Sequence, residues 1–187
     1  HRIDLALPIA LMNDHSLAVD HVAKSFPTAN RSLQVLRDVS LSLAAGQSVA
    51  IVGPSGSGKS TLLQILGTLD RPDNGTVLID GQDPFALNEV ALAGFRNQHI
   101  GFVFQEPMTA LNPTMRVGDL IAEGPRIHHG LDRSAARAKA VELMRRVGIP
   151  TPERRAKMWP HQLSGGLRQR VMIAIALSCH PNLLIAD

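Results

Sequence analysis

The sequence predicts an α/β fold in which a buried strand leads through a glycine-rich loop into a helix. Residues 48–52 form a continuous apolar run, as expected of a central parallel strand. A loop with three glycines follows at residues 53–60 and opens a helix predicted over 58–69. Residues 182–187, which are apolar from Leu183 to Ala186, are predicted to be a buried strand that ends in the carboxylate of Asp187. At 187 residues the chain can form one domain with a core and has room for a subdomain.

Composition narrows the class of protein. Hydrophobic residues make up 44% and charged residues 19% of the chain, which is typical of globular proteins and argues against disorder. The single cysteine, Cys179, cannot form an internal disulfide, so we expect a reducing compartment. No stretch approaches the roughly 20 apolar residues that span a bilayer. Any membrane role is therefore expected to come through a partner.

Basic residues are concentrated in one part of the chain. Between Arg126 and Arg170 there are nine Arg and two Lys against three acidic residues. A nucleic-acid surface is one interpretation. However, aromatic residues make up only 3% of the chain and do not alternate with these arginines. We therefore predict solvated helix faces, near anionic lipid headgroups, and no nucleic-acid partner.

We predict the remaining strands and helices from the spacing of the hydrophobic residues along the chain. Leu17 and Val19, and then residues 39–43, alternate as half-buried antiparallel strands do, and residues 44–47 form the turn into the central strand. Residues 75–80 and 99–104 are predicted to be two further strands. Ser134 is expected to cap a helix that ends near Val147, with Gly148 just beyond its end. Its buried stripe would contain Val141, Met144 and Val147, and a last helix is predicted over 166–178.

The glycine-rich loop matches the phosphate-binding pattern G-x-x-x-x-G-K-S, with a strand predicted before it and a helix after it. Glycines let backbone N–H groups converge on phosphate oxygens, and the helix N-terminus adds partial positive charge. Lys59 is expected to reach the β and γ phosphates, Ser60 to ligate Mg²⁺, and Thr61 to add a hydroxyl near the α phosphate. The alternative is a turn that binds nothing. The predicted nucleotide-binding residues are Gly53, Pro54, Ser55, Gly56, Ser57, Gly58, Lys59, Ser60 and Thr61.

Two further features are expected to complete this site. Gln105 follows the strand predicted over 99–104, where an amide can coordinate Mg²⁺ or position water; alone it would be only polar surface. Ser164, Gly165 and Gly166 precede a helix and form a second candidate anion site, for which a plain serine N-cap is the alternative. One nucleotide does not need two phosphate clamps. We therefore predict a head-to-tail dimer in which each Ser164 motif caps the nucleotide held by the other chain.

Together these motifs resemble the nucleotide-binding domain of ATP-binding-cassette transporters over about residues 17–187. The resemblance implies a P-loop NTPase core with an antiparallel β flank and an inserted α-helical subdomain. It implies that Phe26 stacks on adenine, where tyrosine is more usual, and that Asp187 holds Mg²⁺. By the same resemblance, the catalytic residues are Lys59, Gln105 and Asp187. The implied metal ligands are Ser60, Gln105 and Asp187. The family places a catalytic glutamate immediately after Asp187, and later a dimer loop and a histidine; none is among these residues.

The chain is predicted to divide into four segments, the first of them because Met12 directly precedes the first predicted strand. Residues 1–11 are expected to be a non-native or disordered extension, and residues 12–105 to form the ATP-binding core with its β flank. Residues 106–163 would form the helical subdomain, and residues 164–187 would add a helix and a strand to the core, which stays incomplete. Residues 66–72 and 96–102 are similar to lipoprotein-releasing or macrolide-export ATPases. Residues 106–113, 160–166 and 170–174 are similar to oligopeptide, dipeptide and nickel importer ATPases. A composite gene, an assembly join or an intermediate lineage would each produce this split.

The expected function is ATP-binding and hydrolysis coupled to transport, with ATP and Mg²⁺ as cofactors. The partners would be a second nucleotide-binding domain and transmembrane permease subunits at the cytoplasmic face of the inner membrane. Peptide import is favoured over lipoprotein release or macrolide export, because the helical half docks the permease in this family. Two alternatives belong to a different functional class: a soluble ABC ATPase that has no role in transport, and a nucleotide-binding fragment that has no permease partner. Without the catalytic glutamate and histidine, these 187 residues are expected to hydrolyse ATP poorly.

Overall fold

The computed structural model describes residues 15–28, 31–104 and 111–187, and the chain divides into two compact units, His1–Ala93 and Gly94–Asp187. Two predictions, the extension over residues 1–11 and the position of Gln105, lie outside the described residues. The predicted domain boundaries at residues 105 and 163 stay predictions.

The first unit contains a three-stranded antiparallel sheet. Its strands are β1 (His15–Pro27), β2 (Ser32–Ala44) and β3 (Asn74–Ile79), in the order β2-β1-β3. Val19 pairs with Leu41 of β2 and with Val77 of β3, and both Val19 and Val77 are fully buried. The predicted antiparallel flank is therefore confirmed, with β1 as its central strand.

A bulge interrupts β1 where its register shifts between Val19 and Val22. His21 has a φ of 50° and Asp38 on β2 a φ of 57°, a left-handed conformation that residues other than glycine adopt rarely. The Asp38 carboxylate bonds to Nδ1 of His21, and the backbone N–H of His21 donates to Oγ of Ser40 over 2.9 Å. The hydrogen bond to Asp38 and its negative charge, with the charge of Asp20, raise the pKa of His21.

The prediction of a central strand at residues 48–52 is wrong. The turn before it is present, since the Gln47 N–H donates to the Ala44 carbonyl over 3.1 Å. Residues 47–54, however, belong to no strand, and Val49 and Val52 are 59% and 79% exposed. An apolar run becomes a buried strand only where neighbouring strands pair with it and cover it. None of the strands in the described part of the chain does so here.

Two helices complete the first half of the chain. Helix α1 (Lys59–Leu66) follows the glycine-rich loop and is shorter than predicted, with Gly58 as its N-cap and Gly67 as its C-cap. Helix α2 (Glu89–His99) was not predicted; it follows a 3₁₀ turn at Pro84–Ala86 and spans the division between the units.

The second unit is mainly helical around a two-stranded parallel sheet. Among the described residues, its strands and α-helices are β4 (Ile100–Val103), α3 (Val117–His128), α4 (Arg133–Arg146), α5 (Pro152–Arg155), α6 (Gly165–Ala176) and β5 (Leu183–Ala186). Ile100 pairs with Leu183 and Val103 with Ala186. The predicted final strand is thus present, and Val117, Ile121, Met144 and Val171 are among the fully buried core side chains.

Helix α4 corrects one detail of the sequence prediction. Its N-cap is Asp132, whose carboxylate accepts from the N–H groups of Ser134 and Ala135 at 2.7 and 2.9 Å, so Ser134 is not the cap. The end of the helix is as predicted, with Gly148 in a left-handed conformation at φ 75°. Of the predicted stripe, Met144 is fully buried, whereas Val141 and Val147 are only half-buried.

Candidate nucleotide-binding site

The glycine-rich loop of the first unit is closed by its own lysine. Lys59 Nζ donates to the carbonyls of Gly53 and Pro54 over 2.9 and 2.7 Å and lies 3.4 Å from Ser57 Oγ. The Ser57 N–H also bonds across the loop to the Pro54 carbonyl over 3.3 Å. These contacts hold the Lys59 ammonium against the backbone of the loop.

Two glycines of the loop have left-handed backbones, Gly56 at φ 77° and Gly58 at φ 90°. A Cβ added at Gly56 would meet no atom within 4 Å, whereas one at Gly58 would lie 2.9 Å from Leu36 Cδ2 and 3.1 Å from the Val35 carbonyl oxygen. Gly58 therefore lets the loop pack directly against β2, which fixes the start of α1 against the sheet.

The start of α1 is suited to an anion. Its N-cap, Gly58, offers no side-chain acceptor, and no acidic residue lies in its first turn. Ser60 is exposed and Thr61 half-buried in that turn. The helix N-terminus therefore presents partial positive charge beside the Lys59 ammonium, with two hydroxyl side chains close by in sequence.

Phe26 lies near the end of β1, opposite Leu33 of β2. Both residues are exposed, Phe26 by 37% and Leu33 by 48%. Lys24 Nζ lies over the Phe26 ring, 5.4 Å from its centroid. The first unit thus carries both the phosphate loop and an accessible aromatic side chain.

The second unit carries the other glycine motif. Ser164 is the N-cap residue of α6, but its side chain makes no capping hydrogen bond, and Ser164, Gly165 and Gly166 are all exposed. A Cβ added at either glycine would meet no atom within 4 Å. Arg168 Nε donates to the carbonyl of Leu163 over 2.9 Å and so fixes the chain just before Ser164. The geometry does not support a plain serine N-cap.

Asp187 continues the pairing of β5 with β4, because its N–H donates to the carbonyl of Val103 over 3.0 Å. Parallel strands end at one edge of a sheet, so the exposed Asp187 marks the carboxyl edge of this one. Gln105, predicted to lie there, falls outside the described residues. Within the described ranges no cluster of three His, Cys, Asp or Glu could hold a metal by itself.

Sequence reasoning missed one residue close to the site. Lys24 contacts Phe26 and also Asp70, which lies 46 positions away in the sequence. The only available signal was a lysine two positions before Phe26 on the same strand, which places both side chains on one face.

The family model described as ABC transporter matches residues 36–187, which include the phosphate loop, the Ser164 motif and Asp187. The chain belongs to the ABC transporter family. Among relatives, the oligopeptide transport ATP-binding protein OppD of Bacillus subtilis is 46% identical over 176 residues, covering 91% of this chain and 49% of the relative. The lipoprotein-releasing system ATP-binding protein LolD 1 of Rhodopirellula baltica is 50% identical over 171 residues, covering 91% and 72%.

Solved structures of ABC cassettes have the same fold. The ATP-binding cassette MJ0796, in a dimeric post-hydrolysis state bound to ADP and Pi, superposes with a TM-score of 0.83 at 35% identity. The match covers 91% of this chain and 73% of that one. The predicted P-loop fold with an antiparallel flank is therefore confirmed. This ABC chain spans about half the length of its OppD relative, and no helix in its described part is long and apolar enough to cross a membrane.

Proposed function

We propose that this chain binds ATP together with Mg²⁺ and, as the ATP-binding subunit of an ABC transporter, energises a membrane permease. The observation that carries the proposal is the closed phosphate loop, in which Lys59 is held by the Gly53 and Pro54 carbonyls at the start of α1. A cation, a helix N-terminus and left-handed glycines converge there, as the binding of a polyphosphate requires.

The donor atoms suit Mg²⁺, which prefers oxygen ligands and is usually held by one or two protein groups together with phosphates. Ser60 offers a hydroxyl beside Lys59, and Asp187 offers an exposed carboxylate at a strand end. We propose these two residues, with Gln105, as the ligands. Bound there, the ion would neutralise charge on the phosphates.

The reaction proposed for the complete site is attack of water on the γ phosphate, driven mainly by positioning and charge stabilisation. Lys59 binds and orients the β and γ phosphates, while Phe26 stacks on the base. In a head-to-tail dimer, Ser164, Gly165 and Gly166 of a second chain would present N–H groups and a hydroxyl to the same nucleotide. The exposure of these three residues and the absence of a Ser164 cap support that role.

We favour peptides as the transported substrate. The subunit would lie at the cytoplasmic face of the inner membrane. The peptide assignment is supported by the OppD relative and by a dipeptide transport relative, DppD of Bacillus subtilis, which is 43% identical over 176 residues. Lipoprotein release is the second candidate, because LolD 1 is 50% identical and more of its length is covered.

Calorimetry with MgATP tests the nucleotide site. The Lys59→Ala variant should show no detectable binding, because it removes the cation that the loop carbonyls hold. Lys157→Ala, which removes an exposed lysine of the second unit, is the matched control and should bind as the wild type does. Equal affinity of Lys59→Ala and wild type would refute the assignment of the phosphate loop.

Hydrolysis should be negligible in a polypeptide of these 187 residues. The glutamate and histidine that the family resemblance implies are not among them, and losing such groups commonly costs about 10²–10⁴ in rate. Phosphate release should match the Lys59→Ala background. Robust turnover above that background would show that another residue activates water.

The permease assignment can be tested by binding of the chain to nanodiscs that hold an oligopeptide-importer permease pair or a lipoprotein-releasing permease pair. Preferential binding to the first pair supports peptide import, and the opposite preference supports lipoprotein release. Binding to neither would contradict a transport role for these residues.

A further inference from the structure

A group of polar contacts ties β1 to the segment after α1. Lys24 Nζ donates to Asp70 Oδ1 over 2.7 Å and to the Arg71 carbonyl over 2.6 Å, and lies 3.8 Å from Asp73 Oδ1. The Ser25 N–H donates to Asp73 Oδ2 over 2.7 Å. We call the contacts of residues 23–25 with residues 70–73 the β1 clamp; they include a bond from the Asp73 N–H to the Ala23 carbonyl over 2.9 Å.

Burial and charge both stabilise the clamp. The Lys24 side chain is only 11% exposed, and those of Asp70 and Asp73 are 30% and 43% exposed. A largely buried ammonium is costly unless its hydrogen bonds are satisfied, and here a carboxylate and a carbonyl accept from it. Lys24 therefore has little freedom to leave this position.

The clamp connects the two ends of the proposed nucleotide site. On one side, the N–H groups of Leu69 and Asp70 bond to the Gln64 carbonyl of α1, the helix that begins at the phosphate loop. On the other side, Lys24 Nζ lies 5.4 Å from the Phe26 ring centroid. The cation holds the ring by a cation–π contact, while Phe26 as a whole remains 37% exposed, which leaves part of the residue accessible.

We propose that Lys24 is a positioning residue that sets the Phe26 ring relative to the phosphate loop and so determines how well adenine is held. This inference rests on the proposed binding of ATP. In this proposal Lys24 contacts no phosphate and acts only through Phe26. The clamp fixes β1 relative to α1, the helix that begins at the phosphate loop. Removal of Lys24 should therefore weaken recognition of the base and leave recognition of the phosphates intact.

The experiment compares the affinities for MgATP and for magnesium tripolyphosphate, which has the phosphates and no base. Lys24→Met keeps the length of the side chain and removes its charge. It should weaken MgATP binding by about fivefold or more, the low end for loss of a base–aromatic stack, and change tripolyphosphate binding less than about twofold. Phe26→Ala should show the same pattern, and Lys157→Met is the control for loss of a lysine elsewhere.

A double variant separates positioning from a general effect on the fold. Because Lys24 acts through Phe26, Lys24→Met should add little to the loss already caused by Phe26→Ala. Lys24→Arg keeps the cation and should recover most of the MgATP affinity. If Lys24→Met does not fold, Asp70→Asn replaces it, since this removes the principal negative partner and keeps an acceptor oxygen.

Three results would overturn the inference. These are unchanged MgATP affinity in Lys24→Met, an equal loss for tripolyphosphate, and additive losses in the double variant. Wild-type protein that binds neither ligand would instead refute the proposed function, and this inference with it. Wild-type binding of both ligands with no effect of Lys24→Met would refute only the role of Lys24.

Discussion

The close approach of the phosphate loop to β2 predicts a large difference between two glycine substitutions. Gly56→Ala and Gly58→Ala both place a side chain on a left-handed backbone, at φ 77° and 90°, which costs about 1–2 kcal/mol. Only at Gly58 does the new Cβ meet β2, 2.9 Å from Leu36 Cδ2. Overpacking of this kind adds about 1–3 kcal/mol. The free energy of unfolding should thus fall by about 2–5 kcal/mol for Gly58→Ala, against about 1–2 kcal/mol for Gly56→Ala.

The assay must report on the first unit alone. Trp159 is the only tryptophan and lies in the second unit, so its fluorescence reports on that unit and not on the first. Hydrogen exchange of the β1 and β2 amides, measured in urea without nucleotide, follows the first unit. Gly58→Ala should strongly lower the protection of the strands, and Gly56→Ala should lower it much less.

A Leu36→Ala background tests the cause. It removes the nearest clashing atom, so Gly58→Ala should cost about 1 kcal/mol less there than in wild type. The cost of Gly56→Ala should not change. Equal costs for the two glycine variants, or the same cost of Gly58→Ala in both backgrounds, would refute packing against β2 as the reason for the glycine.

Three further predictions concern other parts of the molecule. Arg170 donates to the Val147 and Gly148 carbonyls at the end of α4, over 2.9 and 2.8 Å. Arg170→Ala should lower the urea stability reported by Trp159 by about 1–2 kcal/mol. Arg145→Ala, which removes an exposed ion pair, should cost under about 1 kcal/mol. The pKa of His21 is raised in the folded chain, so protonated His21 stabilises the fold. This stabilisation is fully present below about pH 6.5 and is lost as the pH rises through the raised pKa. Exchange protection of the β1 bulge should therefore be higher at pH 6 than at pH 8, and a pH dependence that survives Asp38→Asn would contradict this cause. Finally, Val52 is 79% exposed in a segment outside the strands, so we predict that the chain self-associates through this segment and that Val52→Lys reduces the association in light scattering.

Local chemistry explains what the sequence predicted well. The phosphate loop, the turn at Gly46 and the helix end at Gly148 each depend on backbone conformations that favour glycine, and these appear where expected. The antiparallel strands were predicted because alternation with a period of two is visible within one segment. The cap of α4 was misplaced by two residues, because Asp and Ser are both good caps and the choice depends on backbone angles.

Long-range contacts explain what could not be predicted. Residues 48–52 are apolar enough for a buried strand, but burial requires neighbouring strands that pair with them. The spacing of hydrophobic residues within one segment does not reveal those partners. Of the candidate site, the loop and the Ser164 motif were visible as motifs. The contact of Lys24 with Asp70 was not, because 46 positions of sequence separate the two residues and neither belongs to a motif.

The parallel pairing of β4 with β5 has a consequence for the order of folding. Ile100 pairs with Leu183, so helices α3 to α6 all lie within a single loop that this short sheet closes. Loop closure over such a length is slow, whereas contacts between neighbouring helices are local. During synthesis the helices emerge before β5 does, so we expect α3, α4 and α6 to assemble first and the sheet to form as the last step of this unit.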